Sequence, residues 1–236
     1  MRSPFFLPRI LTLVRQNMTR LTRLLGLLLA AQLLGTAWGQ GANKIEPVTT
    51  LPSDIPKALQ DTLQPQGTRV VGDKGTVCEL WLGKTVAQGT GGNPDAVYPS
   101  LGVGTLVGVL HFPAAGSDFR GQTIKPGYYT LRYALLPQDG NHMGVNPYRD
   151  FLLLSPVAAD TQIDKPLPLP DLYKLSRQAS GTNHPAVMSL VPTAQGASFP
   201  SLGQDDQGHS VLQLKLGTAG GDLPIALVVV GQAAAT

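Results

Sequence analysis

The amino-acid sequence predicts a mainly β protein, an antiparallel β-sandwich of about eight strands with two short helices, preceded by a signal peptide. Three observations predict this class. Apolar and polar residues alternate along many short segments, as half-buried strands require. The 27 glycines and 20 prolines of the 236-residue chain separate these segments. Only two stretches have helical spacing. The even succession of strands is also compatible with a β-barrel.

The first 39 residues have the pattern of a secretory signal peptide. Five arginines precede or border the apolar run at residues 24–34, and the small residues Ala37 and Gly39 follow it. Basic, apolar and then small-x-small is the order of an export signal, which predicts cleavage between Gly39 and Gln40. The apolar run is about 11 residues long, well short of the roughly 20 that span a bilayer. No membrane span is therefore predicted after cleavage.

The signal predicts a protein that is periplasmic or secreted, soluble and not a lipoprotein. Cys78 is the single cysteine, so the cleavage point lacks the cysteine that lipid attachment requires, and no intrachain disulfide can form. Alternation along residues 76–82 places Cys78 with Leu80 and predicts a buried, unreactive thiol. Translation from either Met1 or Met18 fits this pattern.

The charge of the exported chain excludes one class of function. Five of the 18 Lys and Arg residues lie in the signal, which leaves 13 against 15 Asp and Glu and a net charge of about −2. Nucleic-acid binding depends on a basic surface that neutralises phosphates. We therefore predict no nucleic-acid partner.

The exported chain reads as a flexible leader, residues 40–52, followed by a single β-sandwich domain, residues 53–236. Ser53 is placed to cap a first short helix that ends at Pro65. A second helix follows the proline-rich residues 166–170 and ends near Gly181. The predicted buried positions of the two helices are Ile55, Leu59 and Leu63, and Leu172, Leu175 and Ala179.

Eight segments carry the strand period. The first two flank residues 72–75, whose Gly-Asp-Lys-Gly sequence predicts a hairpin turn. The third is apolar on both faces, which is typical of a central strand. The predicted strands are residues 68–71, 76–82, 105–112, 127–135, 149–155, 186–191, 210–216 and 223–230.

Three segments resemble an uncharacterised family of exported bacterial β-sandwich proteins, a domain of unknown function. The segments are residues 104–110 (GTLVGVL), 120–133 (RGQTIKPGYYTLRY) and 149–156 (RDFLLLSP). In similar secreted domains a proline-glycine turn, here Pro126-Gly127, leads into a strand that begins with an aromatic residue. The resemblance implies a secreted β-sandwich and brings no activity, cofactor or catalytic residue.

Candidate site residues gather in and around residues 138–151 (QDGNHMGVNPYRDF). The Asp-Gly and Asn residues of this stretch are typical of turns, so it is either a loop scaffold or a binding site. Alternation turns Arg132 away from the core that Tyr129 and Leu131 enter, and predicts that Arg132 lies outward beside the loop. The predicted binding residues are Arg132, Asp139, His142, Tyr148, Arg149, Asp150 and His184.

Catalytic and metal-binding motifs are missing from the sequence. The four histidines are scattered without His-x-His or His-x-x-x-His spacing, and neither a Gly-x-Ser-x-Gly elbow nor a phosphate-binding loop occurs. No catalytic residue, metal or cofactor is predicted. Two functions remain. The first is a non-catalytic exported protein that binds a partner protein, an envelope component or a small ligand through its loops. The alternative is a hydrolase or metal-dependent enzyme around His142 and Asp139.

Export can be tested on the N-terminus of the protein. We expect mass spectrometry of the exported protein to find an N-terminus near Gln40, because the small residues Ala37 and Gly39 satisfy signal peptidase specificity. Recovery of intact residues 18–39 in a detergent-dependent fraction would contradict the prediction.

Overall fold

The computed structural model describes residues 43–89, 93–137 and 148–233, and within these ranges the chain is mainly β. Two short helices are present in these ranges, α1 (Lys57–Gln60) and α2 (Leu169–Ser180). The strands are β1 Lys44–Val48, β2 Gly67–Gly72, β3 Gly75–Leu82, β4 Leu106–Phe112, β5 Gly116–Ser117, β6 Thr123–Ile124, β7 Gly127–Leu135, β8 Asp150–Pro156, β9 Val187–Val191, β10 Ser201–Gln204, β11 Ser210–Thr218 and β12 Gly221–Val230.

Ten of these strands form one antiparallel sheet that is nearly barrel-shaped, in the order β1-β2-β3-β4-β7-β8-β9-β12-β11-β10. Strand β9 joins what would otherwise be two sheets, because Ser189 pairs with β8 while Leu190 pairs with β12. The ends of the sheet approach each other beside β1, where Asn43 Nδ2 donates to Ser210 Oγ over 2.8 Å. The mainly antiparallel β class is confirmed, whereas the prediction of an eight-stranded sandwich is wrong.

All eight predicted strands occur, and the structure adds β1, β5, β6 and β10. Strand β1 lies in the segment predicted as a flexible leader, and it pairs with β2 through Ile45 and Val70. The predicted Ser53 cap is wrong. Helix α1 begins after Pro56 without a side-chain cap, and Ser53 Oγ donates to Asp54 instead.

The interior of the sheet is the main apolar core, and it contains the inward faces of β3, β4, β7, β8, β11 and β12. Cys78 is fully buried there, as predicted. Burial raises the pKa of its thiol to about 12, with a smaller contribution from the charge of Glu79. A thiol that stays protonated at neutral pH is a poor nucleophile.

The outer face of the sheet is partly covered by the two helices. The α1 segment supplies Leu59 and Leu63, which pack with Trp81, and α2 supplies Leu172, which packs with Ala134 and Leu153. Helix α2 ends at Gly181, whose φ of 67° favours glycine. Neither helix in the described ranges is long and apolar enough to cross a bilayer.

A buried ion pair fixes the segment that leads into α2. Arg132, on β7, is 0% exposed, and its Nε and Nη2 donate to the two carboxylate oxygens of Asp160 over 2.7 and 2.9 Å. Thr130 Oγ1 donates to the same carboxylate over 2.6 Å. This bidentate geometry is the strongest form of the Arg–carboxylate pair. It holds residues 157–168 against the outer side of β7.

The remaining Arg132 donors are also used within the chain. Nη1 donates to the carbonyl oxygens of Gly104 and Lys165, and Nη2 donates to that of Gln162. All five N–H donors of the guanidinium are therefore satisfied. The predicted outward position of Arg132 is wrong, because residues 157–168 cover the face of β7 that alternation leaves outside the core.

We expect Arg132→Met to lower the free energy of unfolding by about 3–5 kcal/mol, because it leaves the Asp160 carboxylate buried without its partner. Urea denaturation measures the change. The matched surface control is Lys57→Met, which breaks an exposed pair with Asp61 and should cost no more than about 1 kcal/mol. Adding Asp160→Leu to Arg132→Met should recover part of the loss. Equal effects of Arg132→Met and Lys57→Met would refute this account.

Candidate functional site

A groove opens on the outer face of the sheet beside α2, with a cavity of about 350 Å³. We call it the α2 groove. Its volume lies within the range of small-ligand sites. It is lined by Phe119, Arg120, Ala134, Leu135, Leu136, Pro137, Phe151, Leu153, Tyr173, Arg177, Asn183, His184, Pro185, Val187 and Ala233.

The floor of the α2 groove is apolar and buried. Ala134, Phe151 and Leu153 are almost fully buried, and they occupy the faces of β7 and β8 opposite the interior core. Tyr133 and Leu152, their neighbours in sequence, point into that core. These strands are therefore apolar on both faces, which is the pattern of strands covered by a second layer. Here α2 covers the outer face only in part.

One wall of the α2 groove is a face of α2 itself. Tyr173 and Arg177 are four residues apart and so lie on the same side of the helix. Arg177 is exposed, and its Nε donates to the carbonyl oxygen of Asn183 over 3.0 Å. This contact fixes the guanidinium over the groove and leaves its two Nη groups available.

Another wall is the turn between β5 and β6, which carries Phe119 and Arg120. Asp118 is fully buried and holds this turn. Its carboxylate accepts from the backbone N–H groups of Arg120, Gln122 and Val187 and from the side-chain amide of Gln122, over 2.8–3.1 Å. The turn is thereby fastened to β9, which forms part of the groove.

The turn after α2 places His184 at the rim. The backbone carbonyl oxygen of His184 accepts a hydrogen bond from Ser180 Oγ. The backbone N–H of His184 donates to Thr182 Oγ1. His184 is exposed and belongs to the groove lining, as Arg177 does. Of the predicted binding residues that fall within the described ranges, His184 is the one that lines the α2 groove.

The charge of the α2 groove sets it apart from two other cavities. Its described lining residues include Arg120 and Arg177 but neither Asp nor Glu, and neither guanidinium has an ion-pair partner among the described residues. A cavity of about 400 Å³ between β1 and β11 has Glu46 paired with Lys44 and Lys215 paired with Asp222. The charges of that rim are already neutralised.

The other cavity, also about 400 Å³, lies beside the loop between β10 and β11. Its histidine, His209, is held by Asp205 through Nδ1 and by the carbonyl oxygen of Gln232 through Nε2. Burial acts to raise the pKa of Asp205, but hydrogen bonds from His209 and Gln207 outweigh it and lower the pKa. His209 and Asp205 are hydrogen-bonded to each other. Arg120 and Arg177 of the α2 groove are therefore better placed to bind a charged ligand.

Asp150, predicted as a binding residue, is fully buried and anchors a loop. Its carboxylate accepts from the N–H groups of Val97 and Tyr98 and from Tyr133 Oη, over 2.6–3.0 Å. Burial, followed by the hydrogen bond to Asp150, raises the pKa of Tyr133. This carboxylate therefore fastens the loop before β4 to β7 and β8.

The other predicted residues are dispersed. Arg149 donates through Nε and Nη2 to the carbonyl oxygen of Leu136, a groove residue, and so supports the groove wall. Tyr148 lines the cavity of His209, not the α2 groove. Asp139 and His142 lie outside the described residues.

Metal and histidine chemistry can be assessed within the described ranges, where no group of three His, Cys, Asp or Glu side chains is arranged to hold a metal ion. His111 contacts Glu79 over 2.9 Å and stacks on Tyr128. Burial acts to raise the pKa of Glu79, but hydrogen bonds from His111 and Arg69 lower it. Glu79, His111 and Arg69 thus satisfy one another on the sheet surface.

Sequence reasoning missed Arg120, Arg177 and the Asp118 anchor. A signal for the anchor was present, because Asp118 precedes Gly121, whose φ is 79°, and an aspartate bonding the N–H two residues on is an Asx-turn. No family model, curated protein or solved structure matches the chain.

The loop that Asp150 anchors generates a pH prediction. Tyr98 Oη donates to the carbonyl oxygen of Val191 and accepts from the N–H of Ala226. Burial raises the Tyr98 pKa from 10.0 to about 12, although the Ala226 N–H acts to lower it. A raised pKa in the folded state stabilises the protein below the unfolded value, near pH 10. That contribution disappears as the pH rises from 10 to about 12.

We therefore expect Tyr98→Phe to be less stable than the wild type at pH 8, with the difference shrinking between pH 10 and 12. Urea denaturation at each pH measures the difference, and absorbance of the ionised phenol reports the titration. A difference that stays constant across this range would contradict the prediction.

Proposed function

We propose that the protein is an exported, non-catalytic binding protein that holds a small ligand in the α2 groove. The carrying observation is a cavity of about 350 Å³ with a buried apolar floor and a polar rim of arginines and a histidine. Small-ligand sites have this composition, since apolar area supplies affinity and a few polar groups orient the ligand. The export pattern at residues 24–39 supports a periplasmic or secreted location.

The rigidity of the walls supports binding of a ligand that is small and ordered. Asp118 fixes one wall, Arg149 holds Leu136 in another, and α2 is capped at Gly181. A preformed site binds with a smaller loss of conformational entropy than one that orders on binding. The resemblance to exported bacterial proteins of unknown function belongs to the same proposal and names no ligand.

The alternative function, a hydrolase or metal-dependent enzyme around His142 and Asp139, depends on residues outside the described ranges. None of the described contacts favours it. Stoichiometric metal in the purified protein would favour it over the binding proposal.

The proposal can be tested with a neutral fluorescent probe, N-phenylnaphthylamine, whose emission rises in an apolar site. Val187→Trp should abolish binding, because Val187 is half-buried on β9 and a larger side chain at this position extends into the α2 groove. The matched control is Val191→Trp, which adds the same ring four residues along the same strand but in the cavity of His209. The control should bind the probe as the wild type does.

Thermal melts of both variants establish that each is folded. Loss of probe binding in Val191→Trp with retention in Val187→Trp would place the site in the other cavity and overturn the proposal. Failure of the wild type to bind any apolar probe would overturn it as well.

A further inference from the structure

We infer that the ligand of the α2 groove is an anion with an apolar body, such as a single-chain carboxylate; this inference rests on the proposed function. The groove lining carries two arginines and no acidic residue within the described chain. The exported chain as a whole carries a net charge of about −2. The positive charge of the groove is therefore a local feature.

Both guanidiniums belong to residues that line the same cavity. Arg177 lies on α2 and Arg120 lies on the turn between β5 and β6, so a ligand in the cavity can contact both cations. Arg177 uses Nε for Asn183, and its Nη groups have no partner among the described residues. A guanidinium presents paired N–H donors that match the two oxygens of a carboxylate or phosphate.

Asp118, the carboxylate closest to Arg120 in sequence, does not form an ion pair with it. Asp118 is two residues away, but it is fully buried, and its two oxygens accept four N–H groups of the chain. Two lone pairs on each oxygen are then occupied. Arg120 remains exposed and lacks an acidic partner in the described part of the protein.

The apolar lining of the groove indicates that the ligand has an apolar part as well as a negative charge. The apolar lining also includes the half-buried side chains of Leu136, Tyr173 and Val187, and an inorganic ion would leave their exposed apolar area in contact with water. Burying apolar ligand area against it is favourable. The combination of floor and rim therefore selects a molecule with a charged head and an apolar chain.

Isothermal titration calorimetry with three probes separates these contributions. The probes are decanoate below its micellar concentration, decan-1-ol, which has the chain without the charge, and acetate, which has the charge without the chain. We expect decanoate to bind at least about tenfold more tightly than decan-1-ol, because charge-assisted hydrogen bonds add to the burial of the chain. Acetate should not bind measurably.

Arg120→Gln and Arg177→Gln should each weaken decanoate binding about tenfold and leave decan-1-ol binding unchanged. The matched control is Lys174→Gln, which removes a positive charge from an exposed position of α2 outside the groove lining. It should leave decanoate binding unchanged. Arg177→Lys should retain part of the preference because it keeps the charge. The melting temperatures of these surface variants should match that of the wild type.

Equal affinity for decanoate and decan-1-ol, unaffected by either arginine substitution, would overturn the anion inference and leave the binding proposal intact. Weakening of decanoate binding by Lys174→Gln as strong as that by Arg177→Gln would also overturn it, because the overall charge and not the groove would then be responsible. Absence of binding for decanoate, decan-1-ol and N-phenylnaphthylamine together would overturn the proposed function itself.

Discussion

The buried pair of Arg132 and Asp160 is the interaction on which the outer layer of this fold depends. Its bidentate contact joins β7 to a segment 28 residues further along the chain. Desolvating two charges costs much of what their attraction returns, so such a pair contributes little net stability. The pair does require one arrangement, because four of the five guanidinium donors have acceptors only when residues 157–168 lie across β7. The start of α2, and hence one wall of the groove, follows from that arrangement.

Two more buried carboxylates act in the same way at other loops. Asp118 fastens the turn between β5 and β6 to β9, and Asp150 fastens the loop before β4 to the sheet. Each satisfies backbone N–H groups that a loop otherwise exposes to water, which allows the loop to lie against apolar strands. A sheet with short helices thus acquires ordered walls without disulfides, as the single buried thiol of Cys78 requires.

The sequence predicted the individual strands well, because alternation is a local pattern. It predicted the arrangement of the strands in the sheet less well, because that arrangement depends on contacts between residues that are distant in sequence. Alternation correctly predicted that Tyr133 points into the core and that Arg132 lies on the opposite face. Whether that opposite face is exposed to solvent depends on the segment of Asp160, which is distant in sequence and covers it. The sequence of β9 alternates in the same way whether the strand lies at the edge of one sheet or joins two sheets. The sequence pattern therefore does not distinguish a barrel-like sheet from a sandwich. His184 was predicted as a binding residue and lines the α2 groove, whereas Arg120 and Arg177 were not predicted, because single exposed arginines on a helix or a turn are common.

The α2 groove is distinguished by the hydrogen bonds of the acidic residue Asp118, which lies close to Arg120 in sequence. Residues 40–236 contain 15 acidic and 13 basic residues, yet neither arginine of the α2 groove forms an ion pair with a carboxylate among the described residues. Asp118 is close to Arg120 in sequence, yet the N–H groups of Arg120, Gln122 and Val187 occupy it. The Asp118 carboxylate, which fastens the groove wall, therefore does not form an ion pair with the Arg120 guanidinium. The same contacts thus shape the groove and leave Arg120 without an acidic partner among the described residues, which suits the carboxylate ligand that we propose.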